Sequence, residues 1–203
     1  MTPDGGPPFF DVVFAQRACR QFADTPVDDA TVELILRAAT HAPSAENKQP
    51  WEFVVVRDRS VQTVIHDATE AAWTTAGRAF SAGRIPAALL AEVDQGFSGG
   101  GYRSAPVLVV VCADVERGLP ATVASSIFPC VQNLLLAASA LGLASALTTL
   151  AAGADEIRDV LGLPEHVVPT AVVPIGHPAR RLGPPRREPV AGHTHRDRYG
   201  TAW

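Results

Sequence analysis

Two pairs of arginines stand near opposite ends of the 203-residue chain: Arg17 and Arg20 in QRACRQF, and Arg186 and Arg187 in PPRREP. One arginine taken alone is ordinarily a solvated surface residue. Two compact pairs set among Pro, Cys and Phe are less ordinary. The planar guanidinium fork suits a phosphate, and two or three together can hold a dianion. The chemistry these residues suggest is capture of an anionic ligand.

A second group lies in APSAENKQPW, residues 42 to 51, where Ser44, Glu46, Asn47 and Gln49 are framed by Pro43 and Pro50 just before the apolar FVVV. Amides and hydroxyls grouped this way either satisfy backbone turns or reach for a ligand. Other chemistries are thinly represented. There is no GxSxG elbow, HExxH, GxxxxGK[ST] or GxGxxG after a strand. The glycines at 99–101 lack the Lys-Ser/Thr and helix start of a phosphate loop, and a mobile surface loop, serving as a lid, is expected there. His193 and His195 have no carboxylate or cysteine cluster to complete a metal site. Cys19 lies between Arg17 and Arg20, whose charges would lower its thiol pKa if they stayed close. A lone cysteine without a base is ordinarily only a small side chain.

Length, charge and composition set the bounds. The length is that of one domain with a substantial core. A formal charge of -4 argues against nucleic acid, and no lysine run marks an anionic membrane surface. No uninterrupted apolar run reaches the ~20 residues needed to span a bilayer. The start, MTPDGGPPFF, lacks a secretory pattern, and Cys19, Cys112 and Cys130 form no CxxC pair. A reduced, cytoplasmic setting is expected.

Periodicity supplies the elements that must position these residues. A short helix is expected over 9–16, ending near Arg17, and another capped by Asp28 or Asp29. The second carries an apolar stripe at Val32, Ile35, Leu36 and Ala39 and is ended by Pro43. WEFVVV (51–56) and VLVVVCA (107–113) read as buried strands. Ser60 caps a helix from Val61 into the seventies; Gly77, Gly83 and Pro86 leave 77–95 broken or mobile; and 96–106 reads as a flexible loop. The most apolar stretch, 125–150, reads as a helix wrapped by protein on every side. Pro129 either kinks it or sits in its first turn, and Gly142 closes it. ASALTTL has strand character, Asp155 to Leu161 is helical, and VVPTAVVPIG (167–176) is the last strand. Short apolar strands alternating with helices fit a single three-layer α/β or α+β domain whose sheet is covered on both faces.

In order along the chain, RxxRxF (17–22), APSAENKQPWEFVVV (42–56), VQNLLLAASALGLASALTTL (131–150), VVPIGHP (172–178), RREP (186–189) and HRDRYG (195–200) give a chain that resembles the flavin-dependent nitroreductase family. The similarity runs from about residue 9 to residue 200, and APSxxNxQPW is its most specific block. The resemblance implies an α+β fold with a mixed sheet covered by helices, in an intertwined homodimer with two FMN molecules in the subunit interface. It implies one domain over 1–203, with a flexible lead at 1–8, a variable cap at 77–102 and an extended tail at 177–203.

It also implies roles. Arg17 and Arg187 match positions that grip the FMN phosphate, with Ala18 beside them, and Arg20 matches the cation near the ribityl chain and pyrimidine end. Pro43, Ser44, Ala45 and Asn47 match the segment reaching over to the partner's flavin, with Gln49 holding that loop's shape. Leu147, Thr148 and Thr149 match the segment passing the ring near N5, and Gln132 faces the dimethylbenzene or ribityl side. Many relatives read Arg-Arg-Ser where this chain has Gln16-Arg17-Ala18, which removes a cation and a hydroxyl from the phosphate site. The implied activity passes electrons from NADH or NADPH to a small planar acceptor, a nitroaromatic or quinone, by a ping-pong mechanism. Alternatives are a specialised relative (ene-reduction, dehalogenation, heterocycle oxidation, flavin cleavage) and a flavin store or sensor without turnover.

Overall fold

A computed structural model describes residues 6–150 and 152–203; of the lead expected at 1–8, residues 1–5 lie outside the described residues. Helix α1 (Phe9–Ala15) precedes α2 (Asp29–Ala39), strand β1 (Trp51–Val56) and α3 (Arg59–Ala72). A π-helical turn, Trp73–Gly77, joins α3 to α4 (Arg78–Ser81), and α5 (Ala87–Phe97) follows. Then come β2 (Val107–Asp114), α6 (Val123–Ala140), β3 (Ala144–Ser145), α7 (Asp155–Leu161) and β4 (Val167–Gly176).

The four strands pair antiparallel in the order β1-β2-β4-β3, and a parallel bridge between Ala18 and Ser145 extends the sheet beyond β3. Side chains alternate across a strand, and β2 uses both faces. Val107, Val109, Val111 and Ala113 enter one cluster with Val32 and Ile35 of α2 and Ile127 and Leu134 of α6. Leu108, Val110 and Cys112 enter the other, with Ile65 of α3, Trp73, Phe97 of α5 and Ile157 of α7. All eight β2 residues are buried, so this strand carries no solvent face and no alternation of polarity. At about 1.5–3 kcal/mol per fully buried large apolar side chain, these two layers supply the main favourable term of folding.

Several expectations change at the element ends. Asp28, not Asp29, caps α2: its Oδ1 accepts from the Thr31 amide at 2.7 Å. Asp58, not Ser60, caps α3, accepting from the amides of Ser60 at 2.7 Å and Val61 at 3.3 Å, because its carboxylate reaches both orphan donors. The stretch 77–95 is largely helical, with its break confined to residues 82–86 between α4 and α5. The expected flexible loop at 96–106 begins as the last turn of α5 and contains buried Gly101, Tyr102 and Ala105. Pro129 lies inside α6, which removes the first-turn alternative.

Nor is α6 wrapped on every side within one chain. Ala124, Phe128 and Gln132, four apart on one helical stripe, are exposed, while Ile127, Cys130, Val131, Leu134 and Ala138 are buried. By length and composition α6 could cross a membrane, but its opposite face belongs to the core.

Candidate functional site

Residues 17 to 23 leave α1 as an extended segment sewn to two neighbours. The Cys19 amide donates to the Ser145 carbonyl at 2.9 Å, the Ala23 amide to His177 at 2.9 Å, and the Ala179 amide to Gln21 at 3.1 Å. This stitching draws the chain just past β4 alongside Arg17 and Arg20 and so gathers the arginines. Arg17 Nη2 and Arg20 Nη1 lie 3.5 and 3.8 Å from Glu92 Oε2, and Arg180 Nη2 lies 3.7 Å from Glu92 Oε1. The four side chains line a cavity of about 260 Å³ between this segment and α5. An adjoining cavity of about 610 Å³ is lined by Arg17, Ala18, Arg20 and Glu92 and also by Arg186 and Arg187. The two ends of the chain therefore meet at one cationic site.

The wall behind Arg20 is aromatic. Phe97 stacks on Trp73 with centroids 5.3 Å apart, and Tyr102 meets Phe97 edge-on at 4.9 Å. Trp73 Nε1 donates to Asp94 Oδ1 at 2.9 Å, and Arg78 Nε donates to both Asp94 oxygens at 3.0 and 3.1 Å. These contacts fix the C-terminal end of α5. Burial pushes the Tyr102 phenol up, with the Arg20 charge opposing it. The Arg20 Nε is buried and has no hydrogen-bond partner among the described residues. An unpartnered buried donor costs about 1–3 kcal/mol, and it is the kind of defect an anionic or carbonyl-bearing ligand removes.

Cys19 is the small packed side chain expected of a lone cysteine, and the conditional lowering of its pKa does not occur. Arg17, Arg20 and Arg180 all stay near it, yet burial outweighs the three charges and pushes the thiol up. Its Sγ donates to the Gln21 carbonyl at 3.1 Å, so the thiol is a packed group and not an activated nucleophile.

The 42–51 segment is a strained turn. Glu46, Asn47 and Gln49 have φ of 53°, 54° and 50°, the left-handed region that costs non-glycine residues roughly 1 kcal/mol or more each. The Gln49 amide donates to Ser44 Oγ at 3.0 Å, Gln49 Nε2 to Asn47 Oδ1 at 3.3 Å, and the Ala45 amide to Ser126 Oγ of α6 at 3.2 Å. Gln49 thus holds the loop's shape. Pro43, Ser44, Ala45 and Asn47 line neither arginine cavity of their own chain.

Nor do Gln132, Leu147, Thr148 and Thr149 line those two cavities. Thr148 bridges Val172 of β4 through two backbone hydrogen bonds, 3.0 and 2.9 Å, and its Oγ1 accepts from the Leu150 amide at 3.1 Å. Leu147 beside it is exposed, as is Thr149. Sequence reasoning missed Arg180 and Glu92. Arg180 had a signal, since HPARR continues the arginine-rich tail; Glu92 had none, because only the fold of α5 brings it to the cluster.

Comparison with known proteins accords with this architecture. The chain matches the nitroreductase family over residues 13–177. It is 30 % identical over 177 residues to a protein of Methanothermobacter thermautotrophicus named "Putative NADH dehydrogenase/NAD(P)H nitroreductase", covering 85 % of this chain and 78 % of the relative. The crystal structure of a protein of the same description from Bacteroides thetaiotaomicron VPI-5482 is 27 % identical, covers 96 % of this chain and 99 % of its own, and superposes with a TM-score of 0.71. Iodotyrosine deiodinase, crystallised with FMN and 3-iodo-L-tyrosine, shares the fold at 23 % identity and a TM-score of 0.73, covering 96 % of this chain and 100 % of its own. Together with the three-layer α+β architecture, the match over residues 13–177 makes this chain a member of the nitroreductase family.

Proposed function

We propose that the protein is an FMN-dependent oxidoreductase that draws on NADH or NADPH and reduces a small planar acceptor of the nitroaromatic or quinone type. One observation carries the reading: guanidinium groups from both ends of the chain line a shared site in which the Arg20 Nε is buried without a partner among the described residues. A phosphate monoester suits that donor set, since charge-assisted contacts from planar forks are the strong ones. Arg17 and Arg187 would hold the FMN phosphate beside Ala18, and Arg20 the ribityl and pyrimidine end. Bound there, FMN supplies two-electron chemistry between a nicotinamide donor and the acceptor, which agrees with the lack of a nucleophile motif in the sequence.

The chain's own contribution is binding, orientation and charge. A cation at Arg20 stabilises negative charge that develops nearby on reduction, and the Trp73–Phe97–Tyr102 stack keeps water from its buried side. A homodimer is part of the proposal. Phe128, Gln132 and Leu147 are exposed in the single chain, as are Phe9, Phe10 and Phe14 of α1, and a second copy would cover such surface. It would also bring the turn of Ser44 and Asn47 to the partner's site and place Leu147, Thr148 and Thr149 beside the ring.

The test is the protein's colour, followed by bleaching with NADH or NADPH under anaerobic conditions and by product analysis across an acceptor panel. Yellow protein that bleaches and then reduces nitroaromatics or quinones supports the reading. Colour without bleaching would leave a flavin-binding protein, and turnover confined to a halogenated or enone acceptor would make it a specialised enzyme.

A further inference from the structure

Glu92 is an acid placed where the site has most need of bases. It projects from α5 into the arginine cluster, and its two oxygens are shared by Arg17, Arg20 and Arg180. The separations, 3.5 to 3.8 Å, exceed the roughly 2.7–2.9 Å of a tight charge-assisted hydrogen bond. None of the three is a bidentate clamp. The carboxylate is held by summed attraction, and its side chain keeps 41 % of its surface in solvent. Such a partner exchanges easily, because long, partly solvated ion pairs contribute little.

The helix that carries it is fastened unevenly. Asp94 is tied to Trp73 and Arg78, Phe97 is sandwiched between Trp73 and Tyr102, and Gly96 lies against the Arg20 side chain, where a Cβ would sit 3.1 Å from Arg20 Cβ and Cδ. The N-terminal end has fewer ties: Pro86 provides no side-chain cap, Ala87 and Ala88 are exposed, and Leu89 is 36 % exposed. Glu92 sits between the fixed end and this freer end.

We infer that Glu92 is a built-in counter-ion that occupies the guanidinium cluster until a phosphate monoester takes its place, and that Arg180 is a third cation of the anion site. This rests on the phosphate-binding reading proposed above. Ligand entry is then an exchange of one anion for another, and α5 reports it by releasing the Glu92 side chain. Affinity for the phosphate is set partly by competition from within the chain, so the carboxylate lowers affinity for the phosphorylated ligand and leaves its unphosphorylated form alone.

The experiment is fluorescence-quenching titration of apoprotein with FMN and, separately, with riboflavin, for wild type, Glu92→Gln, Glu92→Asp and Arg180→Ala. Glu92→Gln keeps the side chain's shape and removes its charge. Loss of three weak pairs should tighten FMN about tenfold, equivalent to about 1.4 kcal/mol, with riboflavin changed less than about twofold. Glu92→Asp, whose shorter arm draws back from the cluster, should fall between, and it decides the matter if the Gln variant does not fold. Arg180→Ala should weaken FMN and leave riboflavin unchanged. FMN affinity that falls or stays level in both Glu92 variants, or gains shared equally by riboflavin, would overturn the counter-ion role. A wild type that binds the two ligands equally well would instead sink the phosphate-binding reading itself, so the two failures are told apart.

Discussion

Gly101 packs so closely on Arg20 that a Cβ built on the glycine would lie 2.0 Å from the Arg20 carbonyl oxygen. Its amide also donates to the Gln95 carbonyl at 3.0 Å, closing the end of α5. Gly101 therefore fastens the end of α5 to the arginine segment. Gly101→Ala should cost about 1–3 kcal/mol or more in urea unfolding, since the contact is with backbone and cannot be relieved by a rotamer. Gly100→Ala is the control: φ is 74° with open space around it, so only the roughly 1–2 kcal/mol of a left-handed alanine applies. FMN affinity should fall in the first variant and hold in the second.

His66, on α3, is expected to make stability fall on acidification. Burial, reinforced by the Arg103 and Arg59 charges and opposed by Asp67 and Glu70, lowers its pKa to about 4. Its Nε2 is buried without a partner among the described residues. Below about 6.5 the unfolded chain takes up a proton that the folded chain refuses. The stabilisation is thus complete above that value and is lost as pH falls towards 4, by on the order of 3 kcal/mol. Urea midpoints measured between those two values should drop steeply for wild type and more shallowly for His66→Gln. Parallel slopes would show that His66 does not carry the effect.

The proposed sharing of each site between two chains makes a prediction about mixed dimers. Homodimers of Arg17→Ala/Arg20→Ala and of Ser44→Ala/Asn47→Ala should both bind FMN poorly. Refolded together, they should form mixed dimers in which one site collects every defect and the other none, restoring tight binding at about half occupancy. If both segments serve their own chain's site, each site keeps a defect and no tight class emerges.

How much of this was legible depended on whether the cause was local. β1, β2 and β4 declared themselves as continuous β-branched runs, and α7 from Asp155 to Leu161 ended at Gly162, which takes a left-handed φ of 62°. The arginines were legible as chemistry because guanidinium pairs point to anions whatever the fold. Elsewhere the cause was tertiary. Gly77 read as a break and Gly96 as the start of a flexible loop, but each leaves room for a side chain, Trp73 and Arg20 respectively. Ser60 looked like a cap until Asp58 reached the same amides. Glu92 could not be read at all, because nothing in AALLAEVDQGF says which side chain will face three arginines from distant segments.

Titration of wild type and Arg187→Ala with FMN and with riboflavin tests the central claim, that this arginine site receives a phosphate monoester. The account expects wild type to prefer FMN strongly. It expects Arg187→Ala to lose roughly 1.5–3 kcal/mol of FMN binding while riboflavin is barely affected, because only the phosphate meets that guanidinium. Equal losses for the two ligands, or no loss for either, would contradict it.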